Sequence, residues 1–299
     1  MCVRILLSVI LPVFLLIGVG VLLDRRFRLD LPTLSRLNFH AFVPAISFVK
    51  LFETDVSPAQ LASLGVFTLA HVLALLGICR VLFLHRALRP HATALTLGAL
   101  FYNAGNYGLP LTLLAFGDRG VGVLATILVV QNVLTFTVGV CLLEHRMRGA
   151  GSVARAMLRV PVVWAVAAAL ALRELHLSPP AQVLTPMRYL ADGLVPVALL
   201  TLGAQLSRTR LSGHLSALAA GAVVRLVLSP LLAAAMVPLF RFQWPVSAVV
   251  VAAAGFPVAV NVYILTAEYG QDGGFASQTI LVTTLASALT LSVLLGWLI

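Results

Sequence analysis

Apolar residues in this chain gather into ten long stretches, separated by short polar connections, at roughly 5–23, 33–51, 61–84, 93–116, 121–143, 160–175, 186–206, 215–240, 245–267 and 276–298. A helix needs about 20 mostly apolar residues to cross the hydrocarbon core of a bilayer. Backbone exposed to lipid must satisfy its own hydrogen bonds, which helices do within one segment. The pattern therefore predicts an all-α integral membrane protein with ten transmembrane helices and the lipid bilayer as its surroundings. The first stretch reads as a retained span. Val21-Leu22-Leu23-Asp24-Arg25 has no small-residue cleavage pattern, and its basic flank follows the apolar run instead of preceding it.

Composition agrees: 61% of the 299 residues are hydrophobic and 10% charged, against about 25% charged in soluble domains. The net charge of +10 does not point to nucleic acid, because the basic residues cluster between spans and encode topology. Arg25, Arg26, Arg28, Arg36, Arg80, Arg86, Arg89, Arg146, Arg148, Arg155, Arg159, Arg208 and Arg210 follow odd-numbered spans. The other side carries Arg4, Lys50, Arg119, Arg173, Arg188 and Arg241. By the positive-inside rule, both termini are expected outside the cytoplasm, in a multi-pass protein of the plasma (inner) membrane. Cys2, Cys79 and Cys141 are too scattered for a metal site or a disulfide framework. No nucleophile elbow, metal-ligand pair or phosphate loop occurs; neither an enzyme nor a cofactor is expected.

Ten spans divide into two sets of five, and because five is odd the second set enters the bilayer inverted. Phe42-Val43-Pro44-Ala45 resembles Leu194-Val195-Pro196-Val197 at an offset of 152 residues, and Phe116-Gly117-Asp118 resembles Tyr269-Gly270-Gln271 at 153. The division expected is a first five-helix repeat over 1–143, a cytoplasmic linker over 144–159 and a second repeat over 160–299.

The fourth span contains Asn103-Ala104-Gly105-Asn106-Tyr107-Gly108-Leu109-Pro110, and the ninth contains Gly255-Phe256-Pro257-Val258-Ala259-Val260-Asn261. Proline lacks an N–H and its ring clashes with the carbonyl four residues back, so the backbone is expected to open or kink near 106–110 and again at Pro257. Paired breaks in corresponding spans mark transporter binding sites. Half-helices starting at Pro110 and Pro257 would point positive dipole ends inward, suited to a carboxylate. Simple kinking of buried helices, as at Pro44, Pro196 and Pro230, leaves the adjacent Gly and Asn residues unexplained.

These strings, with Gln131-Asn132, Tyr269-Gly270, Leu37-Asn38, Pro44, and Arg225 shortly before Pro230, resemble the auxin efflux carrier family, bacterial members included, over essentially the whole chain. The resemblance implies a scaffold of spans 1, 2, 6 and 7 and a transport unit of spans 3–5 and 8–10. It also implies that spans 4 and 9 cross at their breaks, as in bile-acid carriers and sodium–proton antiporters, that the transport unit moves like an elevator, and that the protein pairs as a homodimer through the scaffold. Its crossover residues fall on Asn106, Pro110, Pro257 and Asn261, with Asn103 close by. The short connection 144–159, in place of the long loop of the plant carriers, speaks against auxin as substrate.

Arg225 lies mid-span, where a charge costs about 2.5–3.5 kcal/mol on insertion scales. It either acts functionally, attracting an anionic substrate or replacing a coupling cation behind the crossover, or acts structurally, capping carbonyls freed by a broken helix. His71, nearly equivalent to it in the inverted repeat, is either a proton carrier or a neutral, hydrogen-bonded histidine. Gln131 and Asn132 are expected to support the crossover. His40 and Asp192 read as solvated helix ends. The chain is thus read as a carrier of small organic anions driven by membrane potential or proton coupling, with Asn103, Asn106, Pro110, Pro257 and Asn261 binding substrate. The rival is a sodium- or proton-coupled symporter or antiporter of bile-acid-carrier type, which would be expected to place acidic groups near the crossover.

Overall fold

The computed structural model describes residues 2–53, 57–86, 88–144, 158, 161–211 and 213–299. The expected linker 144–159 lies outside them, Glu144 and Leu158 excepted. Among the described residues the chain is helical, with no strand beyond one isolated bridge. Six helices are long and apolar enough to cross a membrane: Val3–Phe27, Ala59–Leu82, Ala104–Leu143, Ala181–Ser207, Leu215–Phe240 and Gly273–Leu298.

We label the helices α1 (Val3–Phe27), α2 (31–52), α3 (Pro58–Leu82), α4 (Ala92–Leu100), α5 (104–116), α6 (118–143), α7 (Pro161–Glu174), α8 (Ala181–Ser207), α9 (Leu215–Phe240), α10 (Val246–Ala254), α11 (Val260–Glu268) and α12 (Gly273–Leu298). α5 and α6 meet at Gly117, whose φ of 65° and ψ of −164° suit a residue without a Cβ.

The helices are apolar outside and polar within. Leu285, Leu289, Val293 and Trp297 form an exposed stripe along α12, while Thr279, Thr283, Thr284 and Ser287 of the same helix are buried. The four-residue spacing of the stripe puts it on one helix face, where lipid tails solvate it. The hydroxyls of Thr279, Thr283 and Ser287 donate to carbonyls of the preceding turn, as Thr279 Oγ1 does to Phe275 O at 2.9 Å. α1 and α8 approach until a Cβ on Gly203 would lie 2.0 Å from the Ile17 carbonyl oxygen, the kind of small-residue contact that packs membrane helices.

Proline shapes these helices differently from the expectation of open kinks. π-Helical turns at Leu6–Ile10, Asn38–Phe42, Ala104–Gly108 and Val224–Leu228 each stand just ahead of a proline, namely Pro12, Pro44, Pro110 and Pro230. The residue before each of these prolines bonds five residues back, as Leu109 N does to Ala104 O. The wider turn removes the carbonyl that would otherwise clash with the ring. Pro110 therefore sits inside an unbroken helix.

Ion pairs mark the two ends of the bundle. At one, Lys50 Nζ meets Asp118 Oδ1 at 2.9 Å and Arg188 Nη2 meets Glu53 Oε1 at 2.8 Å. At the other, Arg208 Nη2 meets Asp24 Oδ1 at 2.6 Å, and the Asp24 carboxylate, as its hydrogen-bond acceptor, raises the arginine's pKa.

Candidate functional site

Two helices of the bundle are interrupted, and the interruptions meet. α4 ends at Leu100 and the chain runs extended through Phe101, at φ −114° and ψ 119°, before resuming as α5 at Ala104. The break thus lies at 101–103, ahead of the 106–110 expected from Pro110, because the π turn accommodates that proline. α10 ends at Ala254 and α11 begins at Val260, three residues after Pro257. Tyr102 and Val258 pair as an antiparallel bridge, in which Asn103 N donates to Pro257 O at 2.8 Å and Ala259 N donates to Phe101 O at 3.0 Å. Val258 N finds Thr283 Oγ1 at 3.1 Å.

The amides diverted in this way leave acceptors behind. In a continuous helix Ala99 O would take the Asn103 N–H and Ala254 O the Val258 N–H. Arg225 supplies both instead. Its Nη1 donates to Ala99 O and its Nη2 to Ala254 O, with Ser229 Oγ at 2.5 Å from Nη2. The side chain is fully buried. Of the two roles open for Arg225, these contacts are those of a carbonyl cap. His71 packs beside it: Nε2 donates to Ser229 O at 3.1 Å, since a carbonyl can only accept, which makes it a hydrogen-bonded core histidine.

Arg225 occupies the carboxyl ends of α4 and α10, which leaves the amino ends of α5 and α11 to the opposite side of the crossover. There a cavity of about 320 Å³ is lined by Gly105, Asn106, Val260 and Asn261, the first residues of those two helices. Tyr102 lies between: its ring lines the cavity and carries the Arg225 guanidinium 5.1 Å from its centroid. Asn103 Oδ1 caps α5 by accepting from Asn106 N at 3.1 Å.

Five buried polar atoms without a partner belong to residues lining this one cavity: Asn103 Nδ2, both amide atoms of Gln131, Asn38 Oδ1 and Gln205 Oε1. Gln131 stands beside the Tyr102 hydroxyl. Buried polar groups are almost always satisfied by protein, water or ligand, so water or a ligand is left to satisfy this cluster.

Of the residues expected from the sequence, Asn103, Asn106, Asn261, Gln131 and Asn132 converge on the cavity. Pro110 and Pro257 do not line it; Pro110 continues α5 and Pro257 gives its carbonyl to the bridge. Arg225 and His71 stand behind the crossover. Reading from the sequence missed the other wall, where α2 contributes Ser35, Arg36, Asn38 and His40 and α8 contributes Gln205. His40, expected at a solvated helix end, lies on this wall. The signal was present as a run of polar residues inside the second apolar stretch. Beyond the cavity a second space of about 510 Å³ shares Ser35, Gln205, Val260 and Ile264 and reaches Arg208, Thr209 and Ser277 at the Asp24–Arg208 end.

A polar cavity at the meeting of two interrupted helices, inside a lipid-facing bundle, is the arrangement of a membrane transporter. The chain belongs to the membrane transport protein family, that of the auxin efflux carriers, whose model matches residues 5–153 and 147–295. Among its relatives is a protein of Rhizobium meliloti (strain 1021) named "Putative malonate transporter", 29% identical over 307 residues that cover 96% of this chain and 94% of the relative. An "Uncharacterized transporter" of Methanothermobacter thermautotrophicus is 29% identical over 272 residues, covering 88% of this chain and 87% of that protein. The protein is a multi-pass membrane transporter, not an enzyme.

Proposed function

We propose that this transporter carries small organic anions across the plasma membrane by alternating access. The carrying observation is the polarity of the crossover: Arg225 takes up the carbonyl ends of α4 and α10, and the cavity receives the amino ends of α5 and α11. Helix amino ends favour anions. No Asp or Glu lines the cavity among the described residues, which supports an anionic guest over a cation-coupled site built on carboxylates. The malonate in the name of the Rhizobium relative makes short carboxylates the first substrates to try.

In this reading the chain has ten spans in two inverted repeats, 1–143 and 160–299, joined by the cytoplasmic linker. α4 with α5 and α10 with α11 are the broken fourth and ninth spans. α1, α2, α7 and α8 form the scaffold and the remaining helices the transport unit, so the cavity lies at the boundary between them. An elevator-type shift of the transport unit would carry the anion past α2 and α8. The opening toward Arg208, with the arginine distribution of the loops, corresponds to an inward-facing state with both termini outside. The family resemblance implies pairing as a homodimer through this scaffold.

The test is flux in proteoliposomes across a panel of mono- and dicarboxylates, with and without proton and sodium gradients. Asn106→Ala together with Asn261→Ala removes one amide from each half-helix start and is expected to abolish carboxylate flux. Undiminished flux in that double variant refutes the site.

A further inference from the structure

We infer that Arg36 binds the second carboxylate of a dicarboxylate substrate, across the cavity from the amides of the crossover. The inference rests on the carrier reading above and assigns one residue a role within it.

The two walls of the cavity differ in chemistry. The wall made by α5, α6 and α11 presents Asn103, Asn106, Gln131, Asn132 and Asn261, all neutral amides, together with two helix amino ends. The facing wall, from α2 and α8, presents Arg36 and His40 among neutral polar groups. Arg36 and His40 stand four residues apart, and so share a face of α2. Arg36 is exposed and pairs with no carboxylate among the described residues; the salt bridges found there engage Lys50, His91, Arg188 and Arg208. The cavity is therefore positive on one side by a full guanidinium charge and on the other by helix amino ends.

A monocarboxylate held at the half-helix starts leaves Arg36 with water alone. An anion with a carboxylate at each end engages both walls at once. The guanidinium fork matches a carboxylate with two parallel N–H···O bonds, which an ammonium does not reproduce. A cavity of about 320 Å³ lies at the small end of ligand sites and suits a short-chain diacid.

In the elevator reading these walls belong to different units, so the Arg36 contact forms in the state described here and breaks when the transport unit moves. Arg36 then sets affinity on the side to which the cavity opens, and appears in KM more than in kcat.

The experiment compares labelled malonate with propionate, its three-carbon monocarboxylate counterpart, in proteoliposomes of the wild type, Arg36→Gln and Arg36→Lys. The exposed position lets the variants fold, which matching size-exclusion profiles confirm. Arg36→Gln is expected to raise the malonate KM about tenfold or more, the loss of a charged hydrogen-bonded contact, against a smaller rise for propionate, which loses only the positive potential of the guanidinium, and Arg36→Lys to fall between. Equal shifts for both acids, or an unchanged malonate KM in Arg36→Gln, overturn the assignment to Arg36 while leaving the carrier reading intact. A wild type that moves propionate in preference to malonate does the same. A wild type that moves no carboxylate in the panel overturns the carrier reading itself, and the role of Arg36 with it.

Discussion

Replacing Arg225 by leucine tests whether this arginine holds the crossover together or supplies field to a substrate. The leucine keeps the buried volume apolar and removes three hydrogen-bond partners, those of Ala99 O, Ala254 O and Ser229 Oγ. Ser229 Oγ retains its own bond to Ala254 O at 2.9 Å, so Ala254 is partly covered and Ala99 O bears the full loss. Leaving a buried acceptor unpaired costs about 1–3 kcal/mol; with that full cost at Ala99 O and at most about half of it at Ala254 O, the loss is roughly 1–5 kcal/mol. Part is returned, because a guanidinium buried without a carboxylate is itself costly; a net loss of about 1–4 kcal/mol follows. At about 2–4 °C per kcal/mol for a chain of this size, the midpoint in a fluorescence-detected thermal unfolding scan in detergent should fall by roughly 2–16 °C. Arg225→Lys, keeping the charge but not the fork that reaches both carbonyls, should fall between. A leucine variant that unfolds with the wild type yet has lost all flux refutes the capping argument, because it locates the arginine's contribution in the substrate's field.

Two further outcomes follow from close contacts and from charge. At Gly108 an added Cβ would lie 2.6 Å from Phe256 Cε2, a fully buried ring, so Gly108→Ala should destabilise by about 1–3 kcal/mol in the same thermal scan, and Phe256→Leu should relieve part of the loss. His91, in the turn ahead of α4, has its pKa pushed below the ordinary 6.5 by burial and by neighbouring His214, against the pull of Asp272. The unfolded chain therefore takes up this proton first as pH drops, so stability present above about 6.5 declines below it; a His91→Phe variant whose unfolding midpoint shows the same decline between pH 7 and 5 refutes this origin.

The membrane class and the gathering of Asn103, Asn106 and Asn261 at one place were legible in the sequence because hydropathy and paired Gly, Asn and Pro residues are local patterns. The place of the first break was not. Pro110 looks like a helix breaker, and only the backbone shows that a π turn absorbs it while the chain opens seven residues earlier. Arg225 was legible as a buried charge, but its partners, Ala99 O and Ala254 O, are backbone atoms far away in sequence that carry no side-chain signal. Arg36 went unread for the opposite reason: one arginine among many near a span end is fully accounted for by topology, and its place on a cavity wall depends on how α2 packs against the crossover.

The bridge between Tyr102 and Val258 also sets an order of events in time. The amide of Asn103 leaves the ribosome roughly 150 residues before the carbonyl of Pro257 that receives it, an interval of about 8–30 s at ordinary rates of synthesis. Through that interval the first interrupted helix is committed to a bilayer that offers its open backbone nothing. The nascent chain must then keep this segment in water, in the insertion machinery or in a provisional continuous helix until the second half arrives, which makes the crossover a checkpoint in biogenesis.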